Sequence, residues 1–265
     1  MKQPPGFLNA QHPNHVCRLK KALYGLKQSP QEWFATLSGH LLTLGFKLSS
    51  SDTSLFIYHN HNIIMYFLVY VDDIILTGNS PTAINNFINN LNTKFPMKDL
   101  IGTISQFLDI QVVHKPYRMH LNQSRFAQTI LSRAGMTNCK PVSTPFKLKS
   151  SITHTNSNAF SNPSLYRQLA DSLQYLTLTR PDLSFDVNKV CQHMQNSTIA
   201  HFDALKRILR NLQGTIHTGL PLFRDKPFLR SFADSDWAGD DTDRKSTSGF
   251  CNYLGSSLIS WTVKK

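Results

Sequence analysis

The sequence predicts an α+β fold, in which helices alternate with antiparallel strands. Two helices are expected to begin at Ser29-Pro30 and Ser80-Pro81, where serine can cap a helix and proline suits its first turn. Between them lie segments rich in β-branched and aromatic residues, and the dipeptide Asp72-Asp73 interrupts the longest one. Strands that return through such a short break are antiparallel, so the pattern indicates an α+β fold.

Apolar spacing defines the elements of the first half of the chain. A helical stripe from Ser29 ends at Gly45, a second follows Ser80, and a third runs from Ser124 to Gly135. Strands are predicted over 54–58, 63–71 and 74–77. Residues 65–71 and 74–77 are expected to pair as a hairpin across the aspartate pair.

The second half begins with a polar segment. Residues 147–163 are dominated by Ser, Thr and Asn, which predicts a linker. Helices are expected near 164–178 and 182–194, followed by one from Thr198 to Leu212 that ends at Gly214. Short strand signals follow at 228–232, 248–253 and 258–263.

Composition restricts the classes of function. The chain has 265 residues, with 28 Lys+Arg against 16 Asp+Glu and a formal net charge of +12. Its 40% hydrophobic and 11% aromatic residues exclude wholesale disorder. Glu32 is the only glutamate in the sequence, so any active site that needs two glutamates is excluded.

Charge is distributed unevenly along the chain. Net charge is positive over residues 1–50 and 101–150, and negative over the intervening residues 51–100. An acidic segment between basic flanks fits a metal site beside a polyanion, and it equally fits a solvated surface without a partner. Charge alone does not choose between them.

Cysteine and targeting signals favour an intracellular protein. The four cysteines are widely spaced without a CxxC pair, which is typical of reduced thiols rather than zinc ligands or disulfides. The N-terminus lacks the apolar run of a signal peptide. The longest apolar run, Ile63 to Val71, is about half of what a membrane-spanning helix needs.

Asp72-Asp73 is the main candidate for chemistry. One interpretation places both carboxylates in solvent at a hairpin tip, which is common for Asp-Asp turns. The other is a divalent-metal site, because carboxylate oxygens are the ligands that Mg²⁺ prefers. Spacing alone favours the first interpretation.

The residues around this pair favour the metal-site interpretation. Tyr70-Val71-Asp72-Asp73 between two apolar strands resembles the catalytic hairpin of reverse transcriptases. The run from Cys17 to Pro30, followed by Trp33, resembles a motif of the Ty1/copia class of retrotransposon polymerases. Further matches in chain order are 95–100, 121–123, 140–145, 173–176, 180–182, 233–240, 246–250 and 259–261. The resemblance covers essentially the whole chain.

The resemblance implies an activity and a domain plan. The activity is RNA-directed DNA polymerisation with two Mg²⁺, for which Mn²⁺ can substitute, on an RNA template, a DNA primer or RNA–DNA hybrid, and dNTPs. The plan is a partial right-hand polymerase: palm and thumb over 1–146, linker over 147–163, connection helices over 164–226, and the start of an RNase H-like domain over 227–265. It also implies that the protein is located in the cytoplasm, within a virus-like particle, or in the nucleus.

The same resemblance assigns roles to residues. Asp72 and Asp73 would be catalytic metal ligands, with Tyr70 and Val71 beside the primer end. Phe107 and Leu108 would form the primer grip. The residues that would border the incoming nucleotide and the template are Tyr24, Gly25, Lys27, Gln28, Ser29, Pro30 and Lys98. The vestige of an RNase H site would consist of Asp234 and Asp236. Basic residues on either side would face nucleic-acid phosphates, although each could equally be an ordinary solvated side chain.

The sequence also departs from the family pattern. It begins after the palm strand that carries a further aspartate and ends before the helix that carries an RNase H glutamate, so we expect little or no activity from this chain alone. The rival interpretation is a non-enzymatic nucleic-acid-binding remnant of a decayed element. Asp109 replaces an expected glycine, at a cost of about 1 kcal/mol if φ is positive there. Ser172 and Asp186 replace small or apolar residues.

Overall fold

The computed structural model describes residues 2–19, 23, 25–71, 73–95, 102–146, 158–240 and 243–265. The chain divides into two compact units, Met1–Thr103 and Ile104–Lys265. Every strand pairing between its named strands is antiparallel, and helices flank the sheets. This mixture confirms the predicted α+β class.

The first unit is built on a four-stranded sheet with two helices. Its elements are α1 (Ser29–Thr43), β1 (Lys47–Leu48), β2 (Leu55–Asn60), β3 (Ile63–Tyr70), β4 (Asp73–Gly78) and α2 (Pro81–Lys94). The strand order is β1-β2-β3-β4, and the predicted β3–β4 hairpin is confirmed, with Tyr70 opposite Asp73. Alternation along β3 buries Met65, Phe67 and Val69 beneath the helices.

Capping of the two helices differs from a simple repeat of Ser-Pro. The Ser80 hydroxyl accepts a hydrogen bond from the Ala83 amide at 3.3 Å, as an N-cap serine should. At α1, however, Gln28 occupies the cap position, and the Ser29 hydroxyl donates instead to the Leu23 carbonyl. The preceding loop offers Ser29 a closer partner than its own helix does, so the expected serine cap is wrong there.

The second unit contains two sheets. The first has the order β5-β6-β7-β8 and consists of β5 (Gln106–Phe107), β6 (Ile110–Lys115), β7 (Arg118–Asn122) and β8 (Leu220–Phe223). The second has the order β11-β10-β9 and consists of β9 (Leu229–Ser235), β10 (Ser248–Leu254) and β11 (Ser257–Lys264). The last three strands were predicted. The pairing of β7 with β8 was not, because its partners are about a hundred residues apart.

Four helices of the second unit share one core. They are α3 (Ser124–Arg133), α4 (Pro163–Leu176), α5 (Ser184–Cys191) and α6 (Ile199–Gly214). A short 3₁₀ turn at Pro181–Leu183 precedes α5, so the helix predicted over 182–194 is shorter and divided. The Arg180 guanidinium, 2% exposed, binds the Asp182 carboxylate at 2.7 Å and the Thr215 carbonyl at 3.0 Å. The buried guanidinium thus joins the segment that follows α4 to the end of α6.

The segment predicted as a linker is ordered at its C-terminal end. Residues 147–157 lie outside the described part of the chain. Phe160, however, donates its amide to the Ser197 carbonyl at 3.0 Å, and its ring stacks on Phe202 at 4.1 Å. Asn162 caps α4 by accepting from the Leu165 amide at 3.0 Å. Residues 158–162 therefore belong to the packed unit, and the domain boundaries at 146, 163 and 226 remain predictions.

Two polar residues occupy buried positions between the helices, as their departure from the family pattern suggested. Ser172 accepts a hydrogen bond from Arg133 Nη1 at 3.0 Å and donates one to the Gln168 carbonyl at 2.7 Å. Asp186 is only 7% exposed, and burial raises the pKa of its carboxyl. In the described part of the chain, no hydrogen bond to this carboxyl is present, so it stands in an unfavourable environment.

No helix among the described residues has both the length and the apolar character that crossing a membrane requires.

Candidate active site

The turn between β3 and β4 presents the aspartate pair. Tyr70 and Asp73 are register partners, so two residues separate the paired ends of the strands, and Val71 is the first of them. Asp73, the first residue of β4, is exposed, as are Tyr70 and Val71. Asp72 lies outside the described residues. The turn thus brings Tyr70, Val71 and Asp73 together.

Val71 has an unusual backbone conformation. Its φ is 54°, the left-handed region that two-residue hairpin loops require at their first position. Glycine, asparagine or aspartate normally fills this position, and a β-branched residue there costs roughly 1–2 kcal/mol. The turn therefore carries local strain at the place where the candidate carboxylates sit.

A hydrogen bond from α1 supports the strained turn. The indole Nε1 of Trp33 donates to the Val71 carbonyl at 2.9 Å. The indole itself packs edge-on against Phe95, with 5.5 Å between ring centroids. Trp33 is thereby fixed between the helix and the hairpin. Sequence reasoning placed Trp33 in the apolar stripe of the predicted helix and in a family motif, but helical spacing does not indicate a partner 38 residues away.

The loop before α1 carries most of the predicted nucleotide and template residues. Gly25 has φ +87°, and a side chain at this position would meet no atom within 4 Å, so open space lies beside it. Lys27, Gln28 and Pro30 are exposed. Pro30 and Trp33 lie on the first turns of α1, so the Trp33 contact places the N-terminal end of this helix beside the hairpin tip. Tyr24 and Lys98 lie outside the described residues.

A second tight turn, in the other unit, holds the predicted primer grip. Phe107 pairs with Ile110 across a two-residue loop, Leu108-Asp109, with φ values of 47° and 60°. Positive φ at both positions is typical of a type I′ turn. The conformation expected for Asp109 is therefore confirmed. The Tyr175 hydroxyl on α4 donates to the Leu108 carbonyl at 2.7 Å.

The remaining predicted carboxylates lie at the end of β9. Asp234 accepts the Ser235 amide at 2.9 Å and Asp236 accepts the Thr247 amide at 2.6 Å. The Asp236 carboxylate also lies within 2.2 Å of where a side chain on Gly239 would begin. One oxygen of Asp236 is thus used to close its own loop. Over the described ranges, no three His, Cys, Asp or Glu side chains are grouped as a metal site.

Comparison with known proteins identifies the family. The model of the family described as "Reverse transcriptase (RNA-dependent DNA polymerase)" matches residues 1–148, more than half of the chain. The chain belongs to this reverse transcriptase family. No solved structure matches it significantly.

The curated relatives specify which reverse transcriptase. Over its whole length the chain is 45% and 43% identical to the retrovirus-related Pol polyproteins from transposons RE1 and RE2 of Arabidopsis thaliana. It is 33% identical to the Pol polyprotein from transposon TNT 1-94 of Nicotiana tabacum. The chain spans about a fifth of the length of these relatives, 18%, 18% and 21% respectively. It corresponds to the reverse transcriptase region of a Ty1/copia-type Pol polyprotein.

Proposed function

We propose that this chain contributes the carboxylates of an RNA-directed DNA polymerase site, and that Asp72 and Asp73 act as its metal ligands. The observation that carries the proposal is the exposed Asp73 at a two-residue hairpin turn, next to Asp72 and within the region that matches the family. The partners are an RNA template, a DNA primer and dNTPs, and the reaction takes place in the cytoplasm or nucleus.

The residues at the turn fit a divalent cation by their donor chemistry. Carboxylate oxygens are hard ligands, and Mg²⁺ commonly takes one or two of them, with waters and substrate phosphates as its other ligands. Exposure of the turn leaves room for both. When bound, Mg²⁺ or Mn²⁺ would favour the deprotonated primer hydroxyl and stabilise negative charge on the transferred and departing phosphates.

The neighbouring residues would hold this arrangement in place. Asp73 is fixed by the β3–β4 ladder, and Val71 by the Trp33 hydrogen bond, so the carboxylates do not have to be ordered at each turnover. Tyr70, 55% exposed, offers a ring to the primer end. Lys27 and Lys98 would supply positive charge for phosphates, and the loop at Gly25 would allow close approach of the template backbone.

The same proposal extends to the wider architecture. The first unit would be the incomplete palm, and α3 with the 108–109 turn would belong to the thumb and primer grip. The helices α4 to α6 would form the connection, and β9 to β11 the opening strands of an RNase H-like domain. Since the chain spans about a fifth of its relatives' length, we expect little or no synthesis from it alone.

Primer extension tests the proposal directly. The 265-residue chain is assayed with a primed RNA template, dNTPs and Mg²⁺, in parallel with Asp72→Asn, Asp73→Asn and the control Asp171→Asn, an exposed residue on α4. We expect little or no extension, and both turn variants should abolish whatever extension the unmodified chain and the control show. Extension that survives in both turn variants would refute the assignment of the site, and robust synthesis by the unmodified chain would refute the expectation of little or no synthesis.

Metal affinity provides a readout that does not need turnover. Titration with Mn²⁺, followed by electron paramagnetic resonance, should give binding that weakens at least tenfold in Asp73→Asn and is unchanged in Asp171→Asn. Equal binding by all three proteins would exclude the turn as a metal site.

The charge of the chain favours a second function, non-enzymatic nucleic-acid binding. A net charge of +12 supports salt-sensitive association with a polyanion whether or not catalysis occurs. If this is the only function, oligonucleotide binding weakens steeply with salt, Asp72→Asn and Asp73→Asn leave it unchanged, and no primer is extended under any metal condition.

A further inference from the structure

The turn between β6 and β7 carries an isolated aromatic ring. Tyr117 is 82% exposed, although it belongs to a well-paired hairpin in which Lys115 lies opposite Arg118. Both of these basic residues are exposed. A tyrosine between two cations at the tip of a hairpin has no role in the core of the unit, so its position calls for a partner.

A third cation approaches from a distant part of the chain. Arg224 follows β8 directly, and its amide donates to the Tyr117 carbonyl at 3.1 Å. This bond, with the pairing of Arg118 to Phe223, holds the tip against β8. The aromatic ring is thus presented on a fixed backbone and not on a free loop.

The positive charge at this tip is not neutralised locally. Among the described residues, no carboxylate forms an ion pair with Lys115, Arg118 or Arg224. The nearest acid in sequence, Asp225, accepts hydrogen bonds from the Ser256 hydroxyl at 2.8 Å and the Lys226 amide at 2.7 Å. Its carboxylate is therefore engaged at the β10–β11 turn.

We propose that the basic tip, formed by Lys115, Tyr117, Arg118 and Arg224, binds single-stranded nucleic acid. An unpaired base would stack on the Tyr117 ring, and the three cations would contact the adjoining phosphates. Stacking on an aromatic side chain does not depend on base identity, and it requires bases that are not already stacked in a duplex. Three cations beside an exposed ring favour a polyanion over an apolar membrane or protein surface.

Within the second unit, the basic tip is separate from the 108–109 turn. It lies at the opposite end of β6 from the 108–109 turn, and six strand residues span about 20 Å. The inference rests on the proposed function only for the class of partner. Because the binding assay needs neither metal nor turnover, failure of the polymerase site and failure of the basic tip would be seen separately.

Fluorescence anisotropy with a labelled 12-nucleotide oligo(U), without divalent metal, tests the role of the ring. Tyr117→Ala should weaken binding about five- to 150-fold, since stacking is worth roughly 1–3 kcal/mol per base. Tyr117→Phe keeps the ring and should bind like the unmodified chain. A duplex of equal length should be insensitive to both changes. Unchanged binding by Tyr117→Ala would overturn the proposal, and so would an equal loss in Tyr117→Phe.

Salt dependence tests the cations. In the double variant Arg118→Gln, Arg224→Gln, the slope of log K against log salt should fall by about 1.4, because each phosphate contact on a single strand contributes about 0.7. Trp237→Ala is the control for Tyr117→Ala, because Trp237 is also a highly exposed aromatic residue, at 93%, and follows an acidic residue, Asp236. An equal loss of binding in the control would contradict the proposal.

Vesicles that contain an anionic lipid distinguish a specific partner from general attraction to negative charge. We expect the tip variants to change oligonucleotide binding at salt concentrations where the vesicles show no association. If the variants lower vesicle association and leave oligonucleotide binding unchanged, the partner is an anionic surface and the proposal is wrong.

Discussion

The turn at Val71 and the 108–109 turn, which lie in different units, both hold a residue other than glycine at positive φ. Each is a two-residue hairpin loop whose first residue is not glycine but has positive φ, 54° at Val71 and 47° at Leu108. In each, the carbonyl of that residue accepts a hydrogen bond from an aromatic side chain on a helix, Trp33 at 2.9 Å or Tyr175 at 2.7 Å. Strain in a short loop is thus offset by one long-range contact.

The two supporting aromatic residues differ in how much they contribute to stability besides their hydrogen bonds. The Trp33 indole is also packed against Phe95, whose side chain lies in the core of the first unit. Tyr175 packs edge-on against Phe126, at 5.2 Å, but remains 36% exposed. The turn that carries the candidate carboxylates therefore depends on a residue that also contributes to the core, whereas the 108–109 turn depends mainly on a hydroxyl.

Truncation of Trp33 should have the largest effect. Trp33→Ala removes both the hydrogen bond and the indole packing, so we expect it to lower the free energy of unfolding by about 2–3 kcal/mol. Trp33→Phe keeps most of the packing and should cost about 1 kcal/mol. Urea denaturation measures both. Equal losses in the two variants would mean that the indole N–H is the whole contribution.

The second unit contains a buried carboxyl, Asp186, whose effect on the stability of the protein should depend on pH. Burial raises the pKa of this carboxyl above its ordinary value of 3.8. The folded state therefore holds the proton more tightly than the unfolded chain does. Asp186→Asn should therefore stabilise the protein at pH 7 by about 1–2 kcal/mol.

The advantage of Asp186→Asn should shrink as the pH falls through the folded pKa and disappear below the unfolded one. Urea titrations at pH 3 and pH 7 measure the difference. A constant advantage at both pH values would show that folding does not raise the pKa of this carboxyl.

Removal of the Tyr175 hydroxyl tests the second support alone. Tyr175→Phe should cost about 1 kcal/mol, the usual net value of one hydrogen bond. Tyr117→Phe is the control, since that hydroxyl is exposed and forms no hydrogen bond among the described residues. If both variants have the same stability, the bond to Leu108 contributes nothing and the two turns are not equivalent.

Glycine substitutions in the loops should have the smallest effects on the free energy of unfolding. Unlike the Trp33 and Tyr175 variants, they should stabilise the protein. Val71→Gly relieves a β-branched residue at φ 54° and should stabilise the hairpin by up to about 1 kcal/mol. Asp109→Gly should stabilise by only a few tenths, because aspartate tolerates the left-handed region better than valine does. A larger gain at Asp109 would reverse this order and place more strain in the 108–109 turn.

Local sequence signals predicted several parts of the fold that local interactions determine, although they missed the equally local hairpins β5–β6 and β6–β7. The β3–β4 hairpin, α2 with its Ser80 cap and the strands β9 to β11 each depend on residues within a few positions of one another. The pairing of β7 with β8 escaped prediction because a four-residue strand such as Leu220–Phe223 has almost no signal of its own. It becomes a strand only because β7 is available beside it.

The candidate site divides in the same way. Asp72-Asp73 stood out because two carboxylates between apolar strands are unusual in any sequence. The Trp33 and Tyr175 contacts could not be predicted, since an aromatic residue on a helix is compatible with many partners. The conformation of Asp109 was predicted from the glycine that the family pattern expects, and not from the residue itself.

The β7–β8 pairing cannot form until late in the synthesis of the protein on the ribosome. Leu121 is translated about a hundred residues before its partner Leu220, which corresponds to roughly 5 to 20 s at ordinary elongation rates of about 5–20 residues per second. During that interval the nascent chain exposes β7 as an open strand edge, the kind of surface on which chains aggregate. The matched family region ends at residue 148, so that region alone would never acquire the strand that closes this edge.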